Sequence, residues 1–320
     1  MKPASAAAMS AAATFVLTPL VRRHLVNHAK FDIPNHRSSH QVPTPRGGGI
    51  ALALGALAAY PNLSDKYHLP PKSILSMATL TLTGFADDQL DGIPASVRLS
   101  SQLITGAFLG SVSPFTTLEG AVVTAGTVNA INFMDGINGI SSLTMAAWGG
   151  STALLGIKHA NPALEAIGSL TIGSALGFLP WNFPDAKIFL GDVGSYHLAS
   201  LVACGLAATA SRGQAIRVAL PLSLYIGDVT HTLARRLLEG RNPTEAHREH
   251  VYQRLVDDHQ LTHTTVSAVH LLAASAISLA TYKAQRLYGP ATFAATLTAA
   301  YLATPSATSI VQYLSRRRIR

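Results

Sequence analysis

The chain has 320 residues, of which 48% are hydrophobic and only 12% charged, with a formal net charge of +8. That charged fraction is about half of the roughly 25% typical of soluble domains, which speaks against an ordinary soluble protein and for residence in a membrane. The single cysteine, Cys204, excludes an intramolecular disulfide and a cysteine-based metal cluster, and reads as a packing residue.

Mean hydropathy is a modest +0.28, because the apolar stretches are rich in small residues. Runs free of Asp, Glu, Lys and Arg are more informative. Segments 3–21, 47–64, 99–118, 136–157, 166–184, 193–211, 260–282 and 287–315 are each about 18 residues or longer, enough to cross a bilayer as a helix. Shorter runs at 73–86, 120–134 and 218–227 add three more. The first run reads as a span and not as a secretory signal, because Arg22 and Arg23 follow it directly and no separate mature domain begins behind them. The pattern predicts an all-α, polytopic integral membrane protein: one domain over residues 1–320 with about eleven transmembrane helices.

Eleven spans divide the connecting segments into two sets. The set after odd-numbered spans holds sixteen Lys and Arg residues, among them Arg22, Arg23, Arg46, Arg98, Arg235, Arg236 and the C-terminal "RRRIR". The other set holds eight, such as Lys2, Lys66, Lys158 and Arg212. Because short cytoplasmic loops carry the excess of positive charge, the first set faces the cytoplasm, with the N-terminus periplasmic and the C-terminus inside. The terminal basic run is then a topological anchor, and no nucleic-acid partner is expected.

Four polar segments, "GFADDQLDGIPASVRL", "NAINFMDGINGI", "NFPDAKIFLGDVGS" and "EAHREHVYQRL", follow spans three, five, seven and nine. All four therefore lie on the cytoplasmic face. Asp87, Asp88 and Asp91 share one segment, and Asp135 and Asp192 arrive from two others. Gathered carboxylates repel unless a cation shares them, and hard oxygen donors suit Mg²⁺ or Mn²⁺. Glycines at 191 and 194 flank Asp192 and let the backbone approach a ligand. Arg235, Arg236, Arg241, His247, Arg248, His250 and Arg254 form a density of donors suited to anionic phosphates. The first inside loop adds Arg37, His40, Thr44 and Arg46 before a triple glycine. A cation site and phosphate donors at a membrane boundary point to a soluble phosphorylated donor meeting a lipid phosphate. The alternative on residue types alone is a transporter of a phosphorylated metabolite, but transporter charges lie near the bilayer midplane, and these lie at segment ends.

The set "PNHRSSHQVPTPRGGG", "FADDQLDG" with "RLSSQ", "NAINFMDGINGI", "FLGDVGS" and "AHREHVYQRL" resembles the polyprenyl-phosphate N-acetylhexosamine-1-phosphate transferases, relatives of the phospho-MurNAc-pentapeptide translocase, over residues 20–256. The resemblance implies transfer of a sugar 1-phosphate from a UDP-N-acetylhexosamine to undecaprenyl phosphate in the bacterial inner membrane, with release of UMP. It makes Asp192 the principal Mg²⁺ ligand. Asp87 and Asp88 stand beside it, Asp88 as a second ligand, with metal binding or deprotonation of the lipid phosphate as their alternative roles. It places Asn129, Asn132, Asp135 and Asn138 in the nucleotide-sugar site. His247, His250 and Arg254 would hold the donor's sugar or diphosphate, and His40, Thr44 and Arg46 the acceptor phosphate. Asn138 stands where many relatives carry Asp, and "HREHVYQRL" lacks the translocase's run of adjacent histidines, which resembles the branch initiating O-antigen and related lipopolysaccharide glycans. The translocase is a dimer, so a homodimer is an option this resemblance leaves open.

Overall fold

The structure, a computed structural model, describes residues 1–34, 39–90, 92–242, 245 and 247–318, with side chains described to residue 306. Arg37, Asp91 and the C-terminal basic side chains lie outside these. Among the described residues the chain forms helices α1 (Pro3–Asn27), α2 (Gly49–Ala59), α3 (Pro71–Gln89), α4 (Ala95–Gly110), α5 (Thr117–Met134), α6 (Ile140–Lys158), α7 (Pro162–Asn182), α8 (Gly191–Ala207), α9 (Arg212–Ala219), α10 (Ser223–Leu238), α11 (Val251–Asp257), α12 (His263–Lys283) and α13 (Tyr288–Arg318). A two-residue antiparallel pair, β1 (Phe31–Asp32) and β2 (Thr44–Pro45), closes the loop between α1 and α2.

Ten of the eleven apolar windows coincide with one helix each. The ninth is two, α9 and α10, separated by a single 3₁₀ turn at Leu220–Leu222. Pro221 sits in that turn; it has no N–H to continue the ladder, and its ring crowds the preceding turn. The indole of Trp148 donates to the Val218 carbonyl at the break (2.8 Å), so the interrupted helix leaves that buried acceptor satisfied. By length and composition, α1, α6, α7 and α12 are sufficient to cross a membrane.

The bundle is organised around α8, of which every residue from Gly191 to Ala207 is buried. A helix apolar all round its circumference belongs inside a bundle, and α8 packs against α2, α3, α5 and α7. Cys204 lies there, its thiol directed at the Ser73 carbonyl (3.4 Å), in the packing role expected of it. Small residues permit the close approaches. A Cβ on Gly49 would fall on the Cα of Gly194, well inside van der Waals contact, so the N-terminal ends of α2 and α8 meet through backbone alone. The main chain makes use of that approach: Phe189 N donates to Pro45 O, Gly48 N to Phe189 O and Gly49 N to Leu190 O, each at 2.8 Å. "RGGG" and "FLGDVG" are thereby laced together, and Arg46 is delivered next to Asp192.

Replacing Gly49 by Leu should prevent this approach, because overpacking against backbone has no flexible neighbour to yield. The expected result is loss of the monodisperse peak in detergent size-exclusion or a large drop in melting temperature. Gly126→Leu, on α5 with open space around its Cα, should leave both unchanged.

Candidate active site

The segments following α1, α3, α5, α7 and α10 converge at one end of the bundle. Asp88, in the last turn of α3, accepts the Asp192 and Val193 amides at 3.1 and 2.9 Å and so caps the N-terminus of α8 from outside the helix. It also pairs with Arg46 Nε at 3.1 Å, and its side chain is 2% exposed. Both Asp88 oxygens are thus engaged, by the start of α8 and by Arg46. Asp87 accepts the Ile93 amide (2.9 Å) and faces Arg98 Nη1 at 3.3 Å. Asp192 accepts from Arg46 Nη2 at 2.7 Å and from Asn132 Nδ2 at 3.2 Å, with Arg98 Nη1 3.9 Å away.

Three carboxylates thus face two guanidinium groups, leaving one negative charge unmatched if all ionise. Burial, then the hydrogen bond to Asp87, and then the neighbouring carboxylates push Asp192 up to about 7 against the pull of Arg46. Asp87 is held below the ordinary carboxylate range: burial opposes its charge, but bonds from Asp192 and Ile93 and the Arg98 guanidinium outweigh it. Crowding thus favours the protonated form at Asp192 and the ionised form at Asp87. Hard oxygens with uncompensated charge fit a Mg²⁺-type ion, which takes one or two carboxylates and completes its shell with water and phosphate. Among the described residues no group of three or more His, Cys, Asp or Glu stands in a metal-holding arrangement.

Two cavities meet at this cluster. The larger, of about 1930 Å³, starts at Lys30, Asp87, Asp192 and His250 and runs between α4, α5 and α9–α10, walled by Leu103, Val122, Ile216, Ile226, Leu233 and Leu237. It ends at Arg212 and Glu119, which pair at 2.7 Å at the opposite end of α5. The smaller, of about 390 Å³, is polar and includes His40, Asp135, Asn138, Asn182 and His263 in its wall. Asp32, Arg46, Asn132, Asp192, His247 and Gln253 line both.

The "NAINFMDGINGI" residues divide between the two. Asn129, part of the larger cavity alone, donates to Gln102 Oε1 (2.7 Å), and Gln102 Nε2 in turn donates to the Tyr196 hydroxyl (2.9 Å). Asn132, one turn on, donates to Ser195 as well as Asp192 and stands at the junction. Asp135 and Asn138 occupy the turn before α6, where Gly139 takes a φ of +76° and its amide is held by Asn182. Burial pushes Asp135 up to about 6. Asn138 donates to the Pro184 carbonyl at 2.9 Å.

His40 lies against Phe189 with ring centroids 4.8 Å apart and faces the smaller cavity, not the larger one. Thr44 is buried in β2, donates to the Val42 carbonyl, and lines neither. Arg254 also lines neither, pairing one turn on with Asp258 at 3.5 Å. The expected density of phosphate donors is largely spent within its own loop: Arg235, Arg236 and Arg241 all converge on Glu249, at 3.0, 2.5 and 2.5 Å, and Arg248 pairs with Asp257. From that segment His247 and His250 reach the site, ring centroids 5.0 Å apart. Burial and the adjacent His250 and Arg236 hold His247 down near 4, so its imidazole is neutral around pH 7. Arg98 and Gln102 come from "RLSSQ", four apart on one face of α4; Asp32 and Gln253 carried no comparable local signal.

Residues 72–210 match the profile described as glycosyl transferase family 4. A probable undecaprenyl-phosphate N-acetylglucosaminyl 1-phosphate transferase of Bacillus subtilis is 25% identical over 265 residues, covering 75% of this chain and 74% of that protein. A decaprenyl-phosphate N-acetylglucosaminephosphotransferase of Mycobacterium leprae is 29% identical (70% and 69% covered), and an undecaprenyl-phosphate alpha-N-acetylglucosaminyl 1-phosphate transferase of Thermotoga maritima 28% (76% and 79% covered).

The Asp135 carboxyl has a direct consequence for stability. Its folded-state value lies above that of the unfolded chain, so it favours the fold while protonated and works against it as pH rises through about 6. Asp135→Asn should therefore raise the melting temperature at pH 8, and much less at pH 5, where the native side chain is itself neutral. Equal shifts at both pH values would contradict this assignment.

Proposed function

We propose that this chain, whose residues 72–210 match the glycosyl transferase family 4 profile, transfers an N-acetylhexosamine 1-phosphate from a UDP-linked donor to undecaprenyl phosphate, forming an undecaprenyl-diphosphate-sugar and releasing UMP. The observation that carries the reading is the meeting of an apolar groove and a polar chamber at Arg46, Asn132, Asp192 and His247. A lipid tail fits between α4, α5 and α10, a nucleotide sugar fits beside Asp135 and Asn138, and only at the junction can their phosphates touch. The polar groups stand at helix ends, which does not favour a transporter.

The junction's chemistry suits direct transfer. An acceptor phosphate oxygen attacks the phosphorus bearing the sugar, the bond from that phosphorus to the UMP oxygen breaks, and UMP departs. Both partners are anionic, so catalysis rests on positioning and on neutralising charge. Arg46 and Arg98 supply fixed positive charge, Asn132 orients Asp192, and His250 offers a ring nitrogen from the larger cavity. When bound, Mg²⁺ would supply further charge neutralisation, held by Asp192 and Asp87. A strong base is unnecessary, because a phosphate monoester is already largely ionised near neutral pH. An acyl-phosphate route through Asp88 is disfavoured by its engaged oxygens.

We place the junction on the cytoplasmic face of the bacterial inner membrane, in a bundle of eleven spans with α9 and α10 together forming the ninth. UDP-GlcNAc is the first donor to test, from the names of the relatives, and the product would initiate a cell-surface glycan of the O-antigen or lipopolysaccharide type.

Purified protein given undecaprenyl phosphate and a panel of UDP-N-acetylhexosamines should release UMP and form organic-extractable sugar with Mg²⁺ but not with EDTA. Asp192→Asn should lower that rate by on the order of 10²-fold or more while leaving the detergent-solubilised protein folded; full activity would remove Asp192 from the chemistry. With Cys204 buried, a Gln89→Cys variant should react with an impermeant maleimide in inside-out vesicles only, and labelling from the periplasm would reverse the orientation.

A further inference from the structure

Behind the site, on α10, lies a carboxylate that the transfer scheme above does not use. Asp228 is fully buried, with 0% of its side chain exposed. A charged group inside such a bundle survives only where its lone pairs are all claimed, and here they are. Oδ1 faces His250 Nδ1 (3.0 Å), the Val251 amide (3.0 Å) and the Thr232 hydroxyl (3.2 Å). Oδ2 takes the Tyr252 amide (3.1 Å) and the Tyr301 hydroxyl of α13 (2.7 Å).

We infer that Asp228 is a positioning residue for the transfer: it holds His250 with its proton on Nδ1, leaving Nε2 as a bare acceptor for the hydroxyl of a monoprotonated acceptor phosphate in the larger cavity, and Tyr301 anchors that carboxylate from α13. This rests on the reading of the site given above. The hydrogen-bond directions follow from the inventory of donors. An ionised carboxylate can only accept, so His250 must present Nδ1 as an N–H. The Tyr301 hydroxyl spends its single proton on Asp228, so it accepts from His270 Nε2 at 3.2 Å, and His270 Nδ1 is then left as a bare acceptor without a partner. The whole chain, from His270 through Tyr301 to Asp228 and from His250 to Asp228, is polarised toward one carboxylate.

The same carboxylate caps α11, whose first two amides are those of Val251 and Tyr252. One group therefore sets both the helix that follows His250 and the ring's orientation, with the Tyr252 ring stacked 5.9 Å away and the Phe133 ring at 6.1 Å. Thr232, one turn along α10, and the His250 amide's bond to Gln253 Oε1 (3.2 Å) complete the support. A carboxylate behind an imidazole decides which nitrogen carries the proton, and groups in this supporting position typically change activity by 10- to 100-fold when altered.

The first test is spectroscopic and independent of any assay. ¹⁵N-histidine-labelled full-length protein in detergent, with the His250 signals identified by their loss in His250→Gln, should show Nδ1 as the protonated nitrogen. In Asp228→Asn the proton should redistribute toward Nε2. A wild-type His250 protonated on Nε2 alone, or a signal unchanged in Asp228→Asn, would overturn the inference. In the transferase assay Asp228→Asn should lower kcat by about 10- to 100-fold with KM for the UDP-sugar changed less than about threefold. In the His250→Gln background the same substitution should cost less than about twofold; an undiminished loss there would mean that Asp228 acts only through the fold. Should Asp228→Asn not fold, Tyr301→Phe removes one of the carboxylate's donors and should still lower kcat several-fold and move the His250 signals, and no change in either would count against the inference. An inactive wild type with the Nδ1–H tautomer would instead refute the transferase reading while leaving the positioning of His250 standing.

Discussion

Everything at the site end of this bundle depends on bringing three carboxylates together in a place with little water. Like charges at such separations cannot all ionise without compensation, and the fold supplies it in three ways. Arg46 and Arg98 provide charge, the N-terminus of α8 provides amides to Asp88, and burial together with the neighbouring carboxylates pushes Asp192 up to about 7, toward its neutral form.

Compensation in turn dictates the backbone. Arg46 reaches two carboxylates from another segment because "RGGG" and "FLGDVG" run side by side with no side chain between them, and a Cβ on Gly191 would lie 2.6 Å from the Asp88 carboxylate. The glycines that look like loop residues in the sequence are contact residues in the fold. α8 then carries the result inward: it is capped by Asp88 and buried along its whole length, so the position of Asp192 is as fixed as the core itself.

The two cavities express the same division of labour. Helices α4, α5 and α10 present aliphatic side chains to a groove that begins at the carboxylates, while the turn before α6 and the loop between α1 and α2 present amides, imidazoles and Asp135 to a chamber on the other side. Two carboxylates, Asp88 and Asp228, act as caps for helices remote from them in sequence, and each cap sets the residue beside it, Asp192 in one case and His250 in the other. Acidic residues in apolar helices are costly, and here each is repaid by fixing a functional group.

Uninterrupted apolar windows named ten of the helices and their order, because hydrophobic length is a local property that survives any packing. Alternation of the connecting segments likewise placed Arg46, Asp87, Asp192, Asn132, His247 and His250 at one end, since a chain that crosses and recrosses must return every second loop to the same side. Tertiary structure alone decided which charged groups are available. Counting arginines in "TLARRLLEGRNPTEAHREHVYQRL" predicts a phosphate-binding loop, yet Glu249 claims three of them, because an ion pair depends on distances that composition does not carry. Adjacent Asp87 and Asp88 are indistinguishable as letters and distinct in space: consecutive positions on a helix point about 100° apart, so one side chain meets α8 and the other the turn before α4. Asp228 was invisible as a site residue because its partners come from α10, α11 and α13, and only folding brings them to one carboxylate.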